Sequence, residues 1–360
     1  MDYRYLGRTG VQVSPLCLGS DDFGDSTSPK TAENIILHAL DAGINLIDTG
    51  NLYAGGQSEK IIGRTLKKAG RRHDVLISTK IDHAPRKVGV SLDHHVPDLP
   101  PNVQGNSRLN IIRACELSLR DLKTDYIDLL QVHRYYPQYH IEETLGALTD
   151  LVRQGKVRYT GCSTFPAWKV MQAIMLSEMK NYVRFVNEES PYNLLDRRIE
   201  NEIIPLAQEH GLGVLAWSPL AHGMLVGAYE SVNELPKGTR AGDRGAFYAN
   251  RITKEGIRVG KKFSELAKSA GLRPAQLAVI WCKDQPGVTA PIIGVGSIKH
   301  LNELLPVMEM RLDQSLRAAC DRLVPPGTNV ANFLITSGWM KTSIGLIHYH
   351  LCDARDNGYW

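Results

Sequence analysis

The chain has 360 residues, of which 43% are hydrophobic and 22% are charged, with a formal net charge of +4 at pH 7. This apolar content supplies a large core and excludes intrinsic disorder, and the mild positive charge, without a Lys/Arg-rich run, argues against a nucleic-acid surface. Six scattered cysteines form no Cys-x-x-Cys pair, so we expect free thiols and no metal site, although His348, His350 and Cys352 in the tail offer a weak alternative.

The N-terminal residues carry charge early and have no apolar region of the secretory kind. No stretch of the chain is apolar over the roughly 20 residues that a bilayer requires. We therefore expect a cytoplasmic protein that has neither a membrane nor a nucleic acid as its partner. Oligomerisation stays open.

Short apolar runs rich in β-forming residues alternate with amphipathic stretches of helical period. The predicted strands lie at 13–19, 45–48, 75–80, 126–133, 157–163, 183–189, 213–217 and 290–293. The predicted helices lie at 31–42, 59–68, 108–122, 142–154, 167–179, 198–210, 254–269, 274–283 and 299–308. Eight strand–helix units favour parallel pairing with right-handed crossovers, and therefore an α/β fold of the (β/α)8 TIM-barrel type.

A doubly wound open sheet is the alternative to the barrel. Its usual marker is G-x-G-x-x-G directly after the first strand, but this first strand ends in the residues LGSDDFG. A partial version, Gly294-Val-Gly296, follows the last strand and has Lys299 in place of the third glycine. The sequence therefore favours the barrel.

Two long segments, 81–107 and 218–251, follow the third and seventh predicted strands. Loops after barrel strands emerge on the C-terminal face, where active sites are assembled, so we expect both to contribute to function. We assign residues 1–323 to the barrel and residues 324–360 to a C-terminal extension packed on it.

Four side chains that can hold or move protons follow three successive predicted strands. Asp48 ends the second strand and Tyr53 follows it closely, Lys80 ends the third strand, and His133 ends the fourth. Because the C-terminal ends of parallel strands share one rim, we expect these four groups to lie together.

Reduction of a carbonyl group needs such a set. Hydride attack makes an alkoxide, so a proton donor must stand at the oxygen. A phenol has a pKa of about 10, and we expect the ammonium of Lys80, held by Asp48, to lower the pKa of Tyr53. A neutral His133 with its proton on Nε2 would donate a hydrogen bond to the carbonyl oxygen and orient the substrate.

With these residues in place, the sequence resembles the aldo-keto reductases. The matching stretches are 39–67, with its D-T-…-Y-…-G-x-S-E block, 75–80, 113–134, 151–164, 190–198, 211–227 and 291–305. The resemblance implies a (β/α)8 barrel that binds NADPH, with NADH possible, across its C-terminal rim and reduces a small carbonyl substrate. It also implies that Asp48, Tyr53, Lys80 and His133 are catalytic, with Tyr53 as the acid in reduction.

The resemblance further implies a set of cofactor contacts. Trp217 would stack on the nicotinamide, and Arg240 would reach the phosphates. The implied contacts to the nicotinamide, ribose and pyrophosphate are, in chain order, Ser20, Asp21, Asp48, Trp217, Ser218, Leu220 and Arg240. Asp21 and Asp22 replace apolar residues that are frequent after the first strand, which indicates a more polar pocket.

Several positions depart from the family pattern. Ser163 and Thr164 stand where Ser-Asn usually holds the carboxamide, and Glu189 replaces a Gln. A carboxylate can accept a hydrogen bond from the carboxamide NH2 but cannot donate one to its oxygen.

The adenine end departs from the family pattern as well. The resemblance places Glu303 among the cofactor contacts at this end, but the family's Arg near His300 is missing, and Leu304 follows Glu303 in place of an Asn. We expect Ser297, Lys299 and His300 to hold a 2′-phosphate, which favours NADPH over NADH.

Two alternatives to a carbonyl reductase stay open. One is a cofactor-holding regulatory subunit similar to potassium-channel β subunits, which share the shorter loops and the LLDR-type signature. The other is a non-redox barrel enzyme that uses Asp48 and His133. That alternative gives Tyr53, Lys80 and Trp217 no common role.

Overall fold

The computed structural model describes residues 2–82, 102–136 and 139–334. An antiparallel hairpin of β1 (Arg4–Tyr5) and β2 (Gln12–Val13) precedes the barrel. The barrel strands are β3 (Cys17–Gly19), β4 (Leu46–Asp48), β5 (Leu76–Ile81), β6 (Ile127–Val132), β7 (Val157–Ser163), β8 (Phe185–Pro191), β9 (Gly213–Trp217) and β10 (Val288–Gly294). Each strand pairs in parallel with the next, and β10 closes on β3. The predicted TIM barrel is confirmed.

The described helices surround the barrel. They are α1 (Pro29–Asp41), α2 (Gln57–Ala69), α3 (Arg108–Asp121), α4 (Ile141–Arg153), α5 (Ala167–Lys180), α6 (Ile203–His210), α7 (Arg240–Arg244), α8 (Ala246–Ala249), α9 (Lys254–Ser269), α10 (Pro274–Lys283), α11 (Ile298–Leu304) and α12 (Gln314–Leu323). Their starts follow from capping, because the Ser28 and Ser107 side chains accept hydrogen bonds from the N–H groups of Thr31 and Asn110. No helix in the described ranges is long and apolar enough to cross a membrane.

The barrel interior is layered because alternate strand residues point inward. On β4, Leu46 and Asp48 share the inner face, and on β6 Leu129 and Gln131 do the same. The lower layer is apolar and includes Leu6 of the hairpin, which is only 2% exposed. The hairpin thus covers the N-terminal end of the barrel, while the polar layer above it meets the C-terminal rim.

Some element boundaries differ from the predicted ones. The predicted strand 13–19 is two strands, β2 and β3, because Pro15 between them has no N–H to donate to a ladder. The predicted helix 198–210 is a 3-10 turn, Arg198–Glu200, followed by α6, since Glu202 has non-helical angles of −138° and −50°. The loop 218–251 contains a 3-10 helix, Ala221–Val226, and the helices α7 and α8.

The C-terminal extension is described as far as residue 334. Arg197 donates to the carbonyl oxygen of Val324 at 2.8 Å, and the Asp196 carboxylate accepts from the N–H groups of Phe333 at 2.7 Å and Leu334 at 3.1 Å. The first part of the extension therefore packs on the residues that follow β8. The rest of the tail lies outside the described residues.

Candidate active site

A cavity of about 240 Å³ opens at the C-terminal rim of the barrel. The predicted site residues that line it are Ser20, Asp21, Asp48, Tyr53, His133, Ser163, Glu189, Trp217, Ser218, Leu220 and Arg240. They come from the ends of strands around the whole barrel. The geometry therefore brings most of the predicted catalytic and cofactor residues to one place.

The four predicted proton-handling residues form one group at the base of the cavity, in which Asp48, Lys80 and His133 are buried and Tyr53 is half-buried. Lys80 Nζ, which is fully buried, donates to Asp48 Oδ1 at 2.6 Å and to Asp48 Oδ2 at 2.5 Å. The same Nζ lies 5.1 Å from the centre of the Tyr53 ring, and that ring lies 6.0 Å from the His133 ring. The register of β4, β5 and β6 sets this arrangement because it aligns their C-terminal ends.

A second carboxylate also contacts Lys80. Glu189 Oε2 lies 3.2 Å from Lys80 Nζ and accepts a hydrogen bond from Gln131 Nε2 at 2.7 Å. Glu189 is only 2% exposed and still lines the cavity. Glu189, which the sequence analysis places at the nicotinamide carboxamide, is therefore also part of the cluster of charged groups beneath Tyr53. Two carboxylates flank one ammonium.

The pKa of the Tyr53 phenol is raised, not lowered, in the free protein. Burial is the largest cause, and the carboxylates of Asp48 and Glu189 add to it, so together they outweigh the opposite effect of Lys80. The expected lowering of this pKa is therefore wrong for the free protein. Tyr53 is held as a neutral phenol with its proton in place.

Lys80 is charged in this site and His133 is neutral. Burial alone would lower the pKa of Lys80, but the carboxylates of Asp48 and Glu189 raise it well above its usual range, so the ammonium stays charged. Burial, together with repulsion from Arg134 and Lys80, lowers the pKa of His133 to about 3. The imidazole is therefore neutral at neutral pH.

Ion pairs join the two sides of the cavity mouth. Arg240 on α7 contacts Asp21 at 2.5 Å and Asp22 at 3.0 Å, and Arg244 contacts Asp22 at 2.6 Å. The two arginines are four residues apart and therefore share one face of the helix. Arg240, predicted to reach the phosphates, thus links the loop after β9 to the loop after β3.

Six predicted site residues do not line the cavity. Lys80 lies beneath it, and Thr164 donates its N–H to the carbonyl oxygen of Glu189 at 2.9 Å. The other four, Ser297, Lys299, His300 and Glu303, lie on or just before α11. The Ser297 hydroxyl accepts from the N–H of His300 at 3.2 Å, and the Glu303 carboxylate contacts Arg273 at 2.7 Å.

Sequence reasoning missed several residues of the site. Asp82, Gln131, Arg134, Arg251, His222 and Tyr248 lie at the cavity or contact its lining. Arg251 is 3% exposed and its guanidinium carbon lies 5.1 Å from the centre of the Trp217 ring. The sequence could have indicated Asp82, because it comes two residues after Lys80 and therefore lies on the same side of the chain as Lys80.

No group of three or more His, Cys, Asp or Glu side chains in the described parts of the chain is placed to hold a metal. His348, His350 and Cys352 lie outside those parts, as do residues 83–101 of the long segment 81–107.

Comparison with known proteins agrees with the fold. The Aldo/keto reductase family profile matches residues 15–325. The uncharacterized oxidoreductase YrpG of Bacillus subtilis (strain 168) is 38% identical over 333 residues, which cover 91% of this chain and 97% of the relative. An aldo-keto reductase of Fusarium vanettenii is 32% identical, over 91% of this chain and 92% of its own length. A probable voltage-gated potassium channel subunit beta of Arabidopsis thaliana is 32% identical, over 86% and 92% respectively.

The closed parallel barrel and the relatives named as oxidoreductases define a class of barrel oxidoreductases. This chain belongs to the aldo-keto reductase family. Members of this family act on small carbonyl substrates and generally use NAD(P)H.

Proposed function

We propose that the protein reduces an aldehyde, a ketone or a keto-sugar to the alcohol, with NADPH as the preferred hydride donor. The observation that carries this proposal is the buried contact of Lys80 with Asp48 directly beneath Tyr53, beside His133. This group lies at the base of a cavity that Trp217 also lines. Such an arrangement supplies a proton donor at the point where a carbonyl oxygen gains charge.

The residues around the cavity fit a nicotinamide cofactor. The Trp217 ring offers a flat apolar surface, the Ser20 and Ser163 hydroxyls offer polar partners, and Arg240 offers a guanidinium at the rim. When bound, the reduced cofactor supplies the hydride. The Asp21 carboxylate also lines the cavity, and its charge is compensated because it is paired with the Arg240 guanidinium.

In this proposal Tyr53 supplies the proton. The carbonyl carbon gains the hydride, and the carbonyl oxygen takes the proton from the Tyr53 hydroxyl, which leaves a phenolate. Lys80 lies 5.1 Å from that ring and stabilises the new negative charge. The phenolate then regains a proton from the solvent, so that each turnover consumes one hydride and one solvent proton. His133 contacts the substrate and fixes its orientation.

The direct test is steady-state oxidation of NADPH against a panel of sugars, keto-sugars, aldehydes and ketones. We expect saturable turnover with at least one class of carbonyl compound, with the alcohol as product. Tight cofactor binding without turnover across the whole panel would contradict the proposal.

A regulatory subunit that holds the cofactor is the second candidate. The favouring observation is that relatives of this chain at 32% identity are named as potassium channel β subunits. A single slow oxidation of bound NADPH, without multiple turnovers on any carbonyl compound, is the result that this alternative predicts.

We expect a preference for NADPH over NADH of modest size. Lys299 offers a point charge and His300 an imidazole at the start of α11, but a 2′-phosphate is held better by a bidentate guanidinium, and the Arg273 guanidinium beside α11 is already paired with Glu303. Dissociation constants for both cofactors, measured at one ionic strength, give the preference. A marked preference for NADH would contradict the assignment of Lys299 and His300.

We expect Glu189→Gln to shift the affinity ratio of the two cofactor forms towards the reduced form. The ring becomes cationic on oxidation, and Glu189 places a negative charge at the cavity. Removing that charge should change the ratio by ~1 kcal/mol or less, about fivefold at most. Titration of wild type and variant with both forms, followed by protein fluorescence, measures the ratio.

Glu188→Gln is the matched control. Glu188 is adjacent on β8 but points to the other face, where its carboxyl contacts Cys162 Sγ and Ser190 Oγ, each at 3.0 Å. Burial raises its pKa to about 8, so it carries little charge at neutral pH. We expect this variant to leave the ratio unchanged. Equal ratios in wild type and Glu189→Gln would show that Glu189 does not act on the nicotinamide.

A further inference from the structure

A second pocket lies at the N-terminal end of the barrel, opposite to the candidate active site. It is open to solvent and has a volume of about 400 Å³. The N-terminal hairpin, the end of α10, the segment before α12 and α12 itself all reach it, so separate parts of the chain meet there. We call it the lower pocket. The charged and polar side chains that line it are Arg4, Lys283, Asp284, Gln285, Arg311 and Arg317.

Oxygen atoms of neighbouring residues hold two arginines of the lower pocket in place. Arg4 Nη1 donates to the carbonyl oxygen of Lys283 at 2.7 Å. Arg317 Nη2 donates to the carbonyl oxygen of Asp284 at 2.8 Å, and its Nη1 donates to Gln285 Oε1 at 3.1 Å. Because these bonds fix both guanidiniums before a ligand arrives, binding would cost little further side-chain order.

Positive charge is in excess in the lower pocket. Asp284 is the one carboxylate among the described residues that line it, and it accepts a hydrogen bond from the fully buried Lys283 Nζ at 2.5 Å. Arg4 lies farther from the same carboxylate, at 3.5 Å. Arg311 contacts Asp2, but both side chains are exposed, so water screens that pair. A single carboxylate of the lining therefore faces one ammonium and the guanidiniums of three arginines.

The cations of the lower pocket repel one another. Burial lowers the pKa of Arg4, and repulsion from Arg311 adds to this effect, against the attraction of Asp284. Burial also lowers the pKa of Lys283, with repulsion from Arg4 and Arg311, although Asp284 opposes it. Asp284 therefore does not neutralise the group, and a bound anion would relieve the repulsion that remains.

We propose that the lower pocket binds the phosphate group of a small phosphate monoester. A guanidinium carries five N–H groups in a planar fork that matches the oxygens of a phosphate, and the bonds of Arg317 to Asp284 and Gln285 use two of them. The volume of the lower pocket exceeds what one phosphate group needs, and Val288 and Leu312 add an apolar wall for the carbon part of an ester. This inference is independent of the proposed reductase function.

Calorimetric titration of the full chain tests the proposal. The protein is first saturated with the oxidised cofactor NADP+, which fills the phosphate positions proposed at the rim. It is then titrated with glycerol 2-phosphate or with inorganic phosphate at one ionic strength. We expect saturable binding of both, with the ester bound more tightly because its carbon part contacts the pocket wall. Equal or tighter binding of inorganic phosphate would overturn the ester as the ligand class, and binding of neither compound would overturn the site.

Loss of a pocket arginine should weaken binding of the ester. Arg311→Gln changes an exposed side chain before α12, so this variant should fold, and Arg317→Gln removes one of the fixed guanidiniums. We expect each variant to raise the dissociation constant of glycerol 2-phosphate about tenfold, the size of one charge-assisted hydrogen bond. If Arg317→Gln does not fold, Arg311→Gln decides alone.

Arg120→Gln is the matched control for the loss of one positive charge. Arg120 is exposed near the end of α3 and does not line the lower pocket. We expect this variant to leave the dissociation constant unchanged. An unchanged constant in both pocket variants would overturn the lower pocket as the site. An equal weakening in Arg120→Gln would assign the effect to net charge and would overturn it as well.

Discussion

Tyr53→Phe is expected to lower carbonyl reduction by about 10²–10⁴-fold while the cofactor still binds, because the variant loses only the proton donor. The half-buried Tyr53 phenol lies over Lys80 and its pKa is raised, so we expect it to keep its proton until the substrate oxygen gains charge. Steady-state NADPH oxidation measures the loss, and quenching of protein fluorescence measures cofactor affinity.

Tyr192→Phe is the matched control for this change. Tyr192 is buried and donates its hydroxyl to Glu200 at 2.6 Å, away from the cavity lining. The control therefore loses one buried hydroxyl, which costs stability but not the proton donor. Turnover near the wild-type level in Tyr53→Phe would show that another group acts as the acid.

Lys80→Met is expected to lower both turnover and stability. The substitution leaves the carboxylates of Asp48 and Glu189 buried without the ammonium that lies 2.5 Å and 3.2 Å from them. Removal of one partner from a buried ion pair costs about 3–5 kcal/mol of unfolding free energy, because the remaining charge is uncompensated. Urea unfolding followed by tryptophan fluorescence measures this loss, and NADPH oxidation measures turnover.

The loss of stability should depend on pH in a defined direction. Burial and the Glu189 carboxylate raise the pKa of Asp48, and loss of Lys80 removes the group that lowers it, so the pKa of Asp48 in the folded variant lies above that in the unfolded chain. The folded variant then binds more protons than the unfolded chain, and its stability falls as the pH rises. We expect a smaller deficit relative to wild type at about pH 5 than at about pH 8.

Lys283→Met is a control for the loss of a buried lysine. The Lys283 side chain is fully buried and its Nζ donates to Asp284 at 2.5 Å, at the end of α10 and outside the cavity lining. This variant should be less stable than wild type and keep its turnover number. An equal loss of turnover in the two lysine variants would mean that Lys80 acts through stability alone.

Much of the fold follows from local sequence pattern. Alternating apolar runs and amphipathic stretches predict eight strand–helix units, because each period reflects one buried face. The same logic predicts that Asp48, Lys80 and His133 meet at the rim, since each of them ends an apolar run that reaches the rim. Neither inference needs any knowledge of contacts between distant segments.

The contacts of Glu189 and Asp82 depend on the closed barrel and were not predicted. Glu189 on β8 meets Lys80 on β5 across the barrel interior, and strand pairing around the ring sets that distance. Asp82 reaches His133 because β5 and β6 are neighbours and their ends align. Local periodicity carries no information on these distances, and therefore the direction of the Tyr53 pKa shift could not be predicted either.

The hairpin below the barrel also limits the routes by which protons reach Tyr53. Leu6 and the apolar layer around it block water from below within the described part of the molecule, so the rim cavity is the way in. In the proposed mechanism the substrate, the product and the replacement proton for Tyr53 share one opening. We therefore expect the Tyr53 phenolate to regain its proton only after the product leaves, so that an alcohol that leaves slowly would delay the next turnover.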